Sequence, residues 1–335
     1  NNHVKTGYGN VGIYVTNSSS SNTVTGYLYN NEVILYPVTA ANSYAMQINS
    51  SNSLQLINNS LLAKSDAPYS NTAALYISNN NNTYIYNNIL LNQVVCSDNT
   101  GYPLYLNGTS RTTGSYNDLY STSGVVAYKT VARNTISELE SADTNMSHNI
   151  SMLPTFDNST ESLLPTSYTG LECWRNTNVQ KDIRDQNRTE VTYMGAYADQ
   201  IPVVDAALTA LVSPSLGECP QNTYNITVEI TNKGSQTLNF AQHSAVVNIQ
   251  STALNLNQNV NVTTGSVTAL NKSNVVVAQN VAVPVNQVVD FKITITTNGD
   301  DNHANDTLVR NFILEAIIPD YTEDFNGSTQ QTWTI

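Results

Sequence analysis

Pairs of asparagine recur at nearly constant spacing through the first third of the chain. The first members of successive pairs are 29, 28, 29 and 30 residues apart, and the last pair is substituted to Asn-Asp. Such a period indicates one structural unit wound repeatedly into a coil, which is a solenoid. Adjacent coils would lie about 4.8 Å apart, so equivalent amides could hydrogen-bond from coil to coil. We therefore predict a structural asparagine ladder at Asn30, Asn58, Asn87 and Asn117.

Short apolar segments repeat in a second register. Side chains alternate across a strand, so the outer members of each triplet should face the interior and the middle member the solvent. The first-sheet triplets are Ile13-Tyr14-Val15, Met46-Gln47-Ile48, Leu75-Tyr76-Ile77 and Leu104-Tyr105-Leu106. Leu28, Leu56 and Ile85 predict a second sheet, and Val33, Leu61 and Leu90 a third. Three parallel sheets per coil resemble the right-handed parallel β-helix.

Composition limits the partners. Of 335 residues only 11% are charged, and the net charge of −12 argues against electrostatic binding of nucleic acid or an anionic membrane. No apolar run is long enough for membrane insertion, and no signal peptide is present. Because the chain begins inside a repeat, we expect it to be a piece of a longer precursor.

The repeats are expected to end near residue 118, followed by a cap to about residue 200. Thr135 and Glu138 form a capping box that predicts a short helix to about Ala142, and residues 149–156 are strand-like. The cap resembles the ending of secreted bacterial β-helix proteins, on the matching residues Asp182, Ile183, Arg188, Gly195, Ala196 and Tyr197. It departs from that ending at Arg184, Asp185 and Ala198. A structural ion pair between Asp182 and Arg188 is favoured over a catalytic role.

Residues 203–315 show longer alternating strands that indicate a second domain. Seven predicted strands with intervening turns suggest an immunoglobulin-like β-sandwich, so the whole chain is expected to be all-β. The predicted strands are Ala206 to Val212, Tyr224 to Thr231, Ala245 to Gln250, Val260 to Thr264, Val275 to Val283, Val288 to Thr296 and Leu308 to Leu314.

The second domain is similar to CARDB-type modules of bacterial surface proteins. The similarity lies in Val212-Ser213-Pro214, Asn232-Lys233-Gly234 and the segment 302–307. Residues 316–335 resemble a linker and the start of a further β module. Arrays of this composition resemble type IX secretion cargo, which implies an extracellular or cell-surface location.

Cys96, Cys173 and Cys219 are the three cysteines. A disulfide between Cys173 and Cys219 and three buried thiols are both compatible with the sequence. Triplets such as Asn107-Gly108-Thr109 and Asn225-Ile226-Thr227 leave glycosylation undecided.

Some β-helix proteins are polysaccharide lyases or glycoside hydrolases, whose chemistry needs a base or paired acids at one bond. The acids of the repeats, Glu32, Asp66, Asp98 and Asp118, and the bases, His3, Lys5, Lys64 and Arg111, do not converge in the predicted register. We therefore predict no catalytic residue in this segment. The alternative is a carbohydrate-active enzyme with its active site in upstream coils.

Two weaker signals point to binding. Asp300, Asp301 and Asp306 offer hard oxygens for Ca²⁺, whereas Asx residues also cap their own backbone and His303 is expected to be an exposed turn residue. No other cofactor is expected.

Tyrosine supplies the second signal, with 20 residues against 5 Phe and 2 Trp. Tyr14, Tyr76 and Tyr105 on the first sheet, and Tyr27 and Tyr84 on the second, predict an outward aromatic face for glycan contact. Simple packing between neighbouring tyrosines is the alternative.

These observations favour a non-catalytic segment of an exported, adhesin-like or filament-forming protein that acts as a stalk or binding platform. Glycans, other surface proteins or further copies of the chain are the expected partners.

Overall fold

The computed structural model describes residues 1–6, 9–16, 26–37, 42–51, 53–67, 71–79, 82–95, 101–108, 112–156, 160–199, 201–215 and 221–314. The chain divides into two compact units, Asn1–Ile201 and Pro202–Ile335. Both are built almost entirely from β-strands. Within the described residues no helix has the length and apolar character needed to cross a bilayer.

The first unit is a β-solenoid of parallel strands with about four turns, consistent with a parallel β-helix. Its coil strands are β1 (Asn2–Thr6), β2 (Val11–Thr16), β3 (Gly26–Tyr29), β4 (Asn31–Leu35), β5 (Ser43–Asn49), β6 (Leu54–Ile57), β7 (Ser60–Ser65), β8 (Thr72–Ser78), β9 (Thr83–Tyr86), β10 (Ile89–Val94), β11 (Gly101–Asn107), β12 (Thr112–Ser115) and β13 (Asp118–Ser121).

The end of this unit contains shorter elements. They are β14 (Ala127–Lys129), β15 (Val131–Arg133), the helix α1 (Ile136–Ala142), β16 (Met146–Ser147), β17 (Glu172–Trp174) and β18 (Val191–Tyr193). The capping box is confirmed, because the Thr135 side chain accepts a hydrogen bond from the Glu138 amide at the start of α1. Residues 149–156 are not a continuous strand; only Ile150 and Phe156 form isolated bridges.

Three sheets form the walls of the solenoid. Sheet I contains β2, β5, β8, β11 and β14, with β15 added antiparallel at its edge; sheet II contains β3, β6, β9, β12 and β16; and sheet III contains β1, β4, β7, β10 and β13. The predicted register of the hydrophobic triplets is confirmed, since Ile13 pairs with Met46, Met46 with Leu75, and Leu75 with Leu104.

The interior of the coils is a narrow apolar core. Equivalent side chains of successive coils lie above one another, and Val33, Leu61, Leu75 and Ile85 have no exposed surface. Burial of these stacked side chains supplies the main driving force for coil formation.

The second unit consists of antiparallel sheets. Its strands are β19 (Ala206–Ser213), β20 (Tyr224–Asn232), β21 (Leu238–Asn239), β22 (Ala245–Ser251), β23 (Leu256–Val262), β24 (Ser266–Val267), β25 (Lys272–Val281), β26 (Val288–Thr297) and β27 (Thr307–Ile313).

Two principal sheets, β19-β20-β25 and β23-β22-β26-β27, contribute to one hydrophobic core that includes Ile226, Val247 and Phe291. The predicted strand Val260 to Thr264 instead spans Leu256–Val262. Its Asn-rich sequence concealed the alternation of partly buried Leu256, Val260 and Val262, because Asn is depleted in strands.

Candidate functional site

Three outward tyrosines of sheet I, Tyr76, Tyr105 and Tyr128, form a continuous stack. Strand pairing places Tyr14, Gln47, Tyr76, Tyr105 and Tyr128 at equivalent positions. The ring centroids of Tyr76 and Tyr105 are 5.3 Å apart, and those of Tyr105 and Tyr128 are 4.4 Å apart. Both pairs are nearly parallel, with interplanar angles of 22° and 12°. Parallel offset rings stabilise one another by about 0.5–1.5 kcal/mol per pair.

This stacking changes how the tyrosines can contact a ligand. Neighbouring tyrosines cover the ring faces of Tyr76 and Tyr105, so these residues present ring edges and hydroxyl groups rather than open faces. Tyr14 is the most exposed member, at 55%. The sequence predicted an open aromatic face, but the rings of Tyr76 and Tyr105 are covered and do not form one.

The tyrosine hydroxyls are linked to amides of adjacent coils. Asn107 Nδ2 donates to the Tyr76 hydroxyl at 2.9 Å, and Asn49 Nδ2 donates to the Tyr14 hydroxyl at 3.3 Å. Burial raises the pKa of Tyr105, and the nearby Tyr128 and Tyr76 raise it further. The Tyr105 hydroxyl is therefore neutral at physiological pH and can serve as a hydrogen-bonding group.

A cavity of about 180 Å³ opens beside the stack, lined by Asn42, Tyr44, Asn71, Tyr76 and Tyr105. Tyr44 is buried and stacks on Tyr76 with a centroid distance of 4.3 Å. Among the described residues, the lining combines tyrosine rings with carboxamide groups and includes no acid, histidine or lysine. This composition is suited to hydrogen bonding with neutral hydroxyl-rich ligands. The sequence pattern did not identify Asn42 and Asn71 as site residues. Their signal is position, since Asn42 directly precedes β5 and Asn71 directly precedes β8.

The tyrosines predicted on sheet II lie on a different wall. Tyr27 pairs with Gln55 and Gln55 with Tyr84, as the sequence indicated. Tyr27 is 45% exposed, and the Tyr84 ring is 6.3 Å from that of Tyr86 on the same strand. The Gln55 side chain accepts a hydrogen bond from Asn178. The structure does not bring Tyr27 or Tyr84 into the cavity lining.

The asparagine ladder exists in a shifted register. Asn2, Asn31, Asn59 and Asn88 are the second members of their pairs, whereas Asn117 is a first member and Asn149 follows His148. From Asn2 to Asn117, each Nδ2 donates to Oδ1 of the next amide at 2.7–3.0 Å. The ladder runs through Asn2, Asn31, Asn59, Asn88, Asn117 and Asn149 and ends at the Glu140 carboxylate. Asn117 thus lies in register with Asn88, not with Asn87.

The physical reason for this shift is backbone conformation. Asn30, Asn58 and Asn87 have φ angles of 48°, 54° and 59°, in the left-handed region that Asn tolerates. In the following coils the same left-handed position is held by Tyr116 and His148, both with φ of 54°. The sequence concealed the register because these residues are not asparagines.

The first-member asparagines bind the segment of residues 160–199, which we call the closing segment. Asn30 Nδ2 donates to the Lys181 carbonyl, Asn58 Nδ2 to that of Tyr193, and Asn87 Nδ2 to that of Trp174. In the pairs that begin at Asn30, Asn58 and Asn87, the second asparagine therefore joins the coils to one another, and the first joins them to the closing segment.

The expected Asp182–Arg188 ion pair is replaced by two separate networks. Asp182 pairs with Arg184 at 3.1 Å and accepts the amide hydrogen of Ala198. Arg188 donates to the carbonyls of Tyr193 and Gly195 and to Asn30 Oδ1. Burial lowers the pKa of Arg188 to about 10. Both networks position backbone, which is a structural role.

The candidate catalytic acids do not form a pair. Glu32 is fully buried and bonds to His3, Ser162 and Tyr197. Asp118 is also buried, and strand pairing separates it from Glu32 by three coil steps.

Three steps of about 4.8 Å amount to roughly 14 Å, beyond the roughly 5–9.5 Å between the carboxyl groups of glycosidases. Asp66 is exposed and Lys64 half-buried, whereas Asp98 and Arg111 lie outside the described residues.

The predicted calcium ligands are only partly together. Asp300 and Asp306 lie close to each other and to His303, with one ligand atom from each within 4.8 Å of the others. Asp301 is exposed and outside this group. His303 is exposed, as expected, but its Nδ1 is 2.8 Å from Asp306 Oδ2.

Cys173 is buried as a free thiol whose pKa is raised by burial. Cys96, Cys219 and residues 315–335 lie outside the described residues.

Comparisons with protein-family models, curated proteins and solved structures gave no significant match.

Proposed function

We propose that this chain is a non-catalytic binding and spacing segment of an exported bacterial surface protein. In this proposal the solenoid is a right-handed parallel β-helix, the second unit is an immunoglobulin-like sandwich of the CARDB type, and the cavity beside the tyrosine stack contacts neutral glycans. Support for the second unit comes from two antiparallel sheets around one core.

The cavity lining is the observation that carries the proposal. Its described residues are three tyrosines and two asparagines, which supply aromatic edges, hydroxyls and carboxamides and carry no charge. Sugar hydroxyls are both donors and acceptors, and these side chains match them in both respects. A volume of about 180 Å³ is smaller than that of pockets for drug-sized ligands and suits a single sugar residue.

Binding is favoured over hydrolysis because the lining residues that the structure describes do not include the acid and base that glycan cleavage requires. The low charge of the chain, with only 11% charged residues, also leaves a surface dominated by amides and hydroxyls. Assaying the full-length protein for unsaturated uronate products tests the alternative of a lyase directly.

The binding test uses a glycan array followed by titration of the best neutral glycan. We expect Tyr76→Ala and Tyr105→Ala each to weaken binding about tenfold, or ~1.4 kcal/mol. Tyr14→Ala is the matched control, because Tyr14 shares the row but does not line the cavity. Unchanged binding by both cavity variants, or equal loss in the control, would contradict the proposed site.

A further inference from the structure

The loop between β26 and β27 spaces three potential metal ligands three residues apart: Asp300, His303 and Asp306. Residues His303–Asn305 form a 3₁₀ helix. His303 is the first residue of this helix, Asp306 is its C-cap, and Asp300 precedes it. The result is a compact group of one imidazole and two carboxylates, whose ligand atoms lie within 4.8 Å of one another.

The two carboxylates are buried, and one imidazole can neutralise only one of their two negative charges. Asp300 and Asp306 are only 6% and 8% exposed. Among the described residues, no Lys or Arg forms a salt bridge with either one, and His303 is the one potentially cationic partner of Asp306. A buried carboxylate is stable when paired or when it binds a metal ion, so this arrangement favours an added cation.

Asp306 also has an unused ligand atom. Its Oδ2 contacts His303, whereas its Oδ1 is buried with no hydrogen-bond partner. Both oxygens belong to a carboxylate at the His303 contact, so the unsatisfied one borders the same group. A buried acceptor left in this state is destabilising, and a bound cation would satisfy it.

Asp300 is held in place by backbone. Its Oδ2 accepts the Ala206 amide hydrogen at 2.8 Å, and its Oδ1 accepts that of Asn302 at 2.9 Å. Each carboxylate oxygen retains a lone pair after one such bond. Burial raises the pKa of Asp300, and the charge of Asp306 raises it further, which is the electrostatic setting that a divalent cation would reverse.

We propose that Asp300, His303 and Asp306 bind one divalent first-row transition-metal ion, with Zn²⁺ as the reference ion. An imidazole nitrogen with two carboxylates suits Zn²⁺ or Mn²⁺, whereas Ca²⁺ takes six to eight oxygen ligands. The 2.8 Å between His303 Nδ1 and Asp306 Oδ2 is close to the roughly 3 Å that separates adjacent ligands around a bond length of about 2.0–2.2 Å. The ion replaces the proton shared by these two atoms.

Isothermal titration of the full chain with ZnCl₂ tests the site. We expect His303→Gln and Asp306→Asn each to weaken Zn²⁺ binding at least tenfold. Asp301→Asn and His243→Gln are matched controls, because neither residue belongs to the ligand group, and each should change affinity less than twofold. His303 is exposed, so its replacement leaves the core intact.

A thermal melt provides a second measurement, because an ion that binds only the folded state raises the melting temperature. Zn²⁺ should raise it for the parent chain and much less for His303→Gln. The proposal is overturned if the parent chain does not bind millimolar Zn²⁺. It is also overturned if Zn²⁺ binding is lost in His3→Gln or His243→Gln and kept in His303→Gln. Equal affinity for CaCl₂ would overturn the assignment to a transition metal.

Discussion

Asn88 illustrates how much one buried carboxamide contributes to the coil stack. Its Oδ1 accepts both the backbone and the side-chain amide hydrogens of Asn59, at 2.9 and 2.8 Å. Its Nδ2 donates to Asn117 Oδ1 and to the Leu56 carbonyl, at 2.9 and 3.0 Å. Asn88 is only 1% exposed, so water cannot replace these partners.

We expect Asn88→Ala to destabilise the solenoid by about 2–4 kcal/mol, because two donors and two acceptors lose a bond in a buried setting. Urea denaturation measures the change, and hydrogen exchange of β7 and β10 peptides identifies the unit affected. Asn107→Ala is the control, since Asn107 is exposed, and surface changes usually stay within about 0.5 kcal/mol. Equal destabilisation by both variants would refute the importance of the ladder.

Asp118 should make stability depend on pH. Burial raises its pKa from 3.8 to about 8, although the Met152 amide donates to one oxygen. The folded state therefore retains a proton that the unfolded state loses above pH 3.8. Stability falls as pH rises between these two values, by ~1.4 kcal/mol per pH unit for one proton.

Asp118→Asn should remove this dependence, since the amide does not ionise. We expect the variant to be more stable than the parent at pH 8, with the advantage shrinking toward pH 4. Melting temperatures measured across this range test it, with Asp66→Asn as an exposed control on the same unit. If the melting temperatures of the parent and of Asp118→Asn changed with pH in the same way, the result would argue against a neutral buried carboxyl group at Asp118.

At the level of elements, the closing segment is held to the coils mainly through backbone carbonyls. Arg188 is 2% exposed and joins this segment to Asn30. Gly195 allows close approach, because a Cβ there would lie 2.7 Å from both the Ile89 and Ser60 side chains, and its φ of 87° favours glycine. The segment is therefore held by these backbone contacts together with buried apolar side chains such as Leu171, Val191 and Met194.

We predict that Arg188→Lys loosens the closing segment, at a cost of about 3 kcal/mol or more, because lysine keeps the charge but lacks the planar fork. Hydrogen exchange of peptides covering 171–197 should accelerate, while peptides of β20 and β26 keep their protection. Arg175→Lys serves as the control, since that side chain donates to a single carbonyl, that of Arg188. Unchanged exchange in the Arg188 variant would contradict an anchoring role.

For the whole molecule, the parts that repeat could be predicted and the parts held by distant contacts could not. Sheet register followed from the triplets because every coil repeats the same inside-outside pattern. The Asp182–Arg188 assignment failed because the partners of Arg188 include Asn30, 158 residues away. The cavity was predicted only in part, since Tyr76 and Tyr105 were recognised but Tyr44, Asn42 and Asn71 were not.

The ligand group in the second unit shows a different limit. The sequence predicted Asp300, Asp301 and Asp306 as ligands for their hard oxygens, and it predicted His303 as an exposed turn residue. The loop around His303–Asn305 brings the side chains of Asp300, His303 and Asp306 together, with one ligand atom from each within 4.8 Å of the others. Their spacing of three residues is the signal that could have identified His303.

The amide ladder gives the solenoid an electrical polarity. The second Nδ2 hydrogen of Asn59, Asn88 and Asn117 donates back to a carbonyl of the preceding coil. The bonds between successive carboxamides, however, all donate in the same direction, from Asn2 toward Asn149, so the dipoles of these bonds are parallel. Their positive end meets Glu140, which accepts both the backbone and the side-chain amide hydrogens of Asn149. An acid at this position compensates the aligned amides in the same way that acids stabilise the amino end of an α-helix.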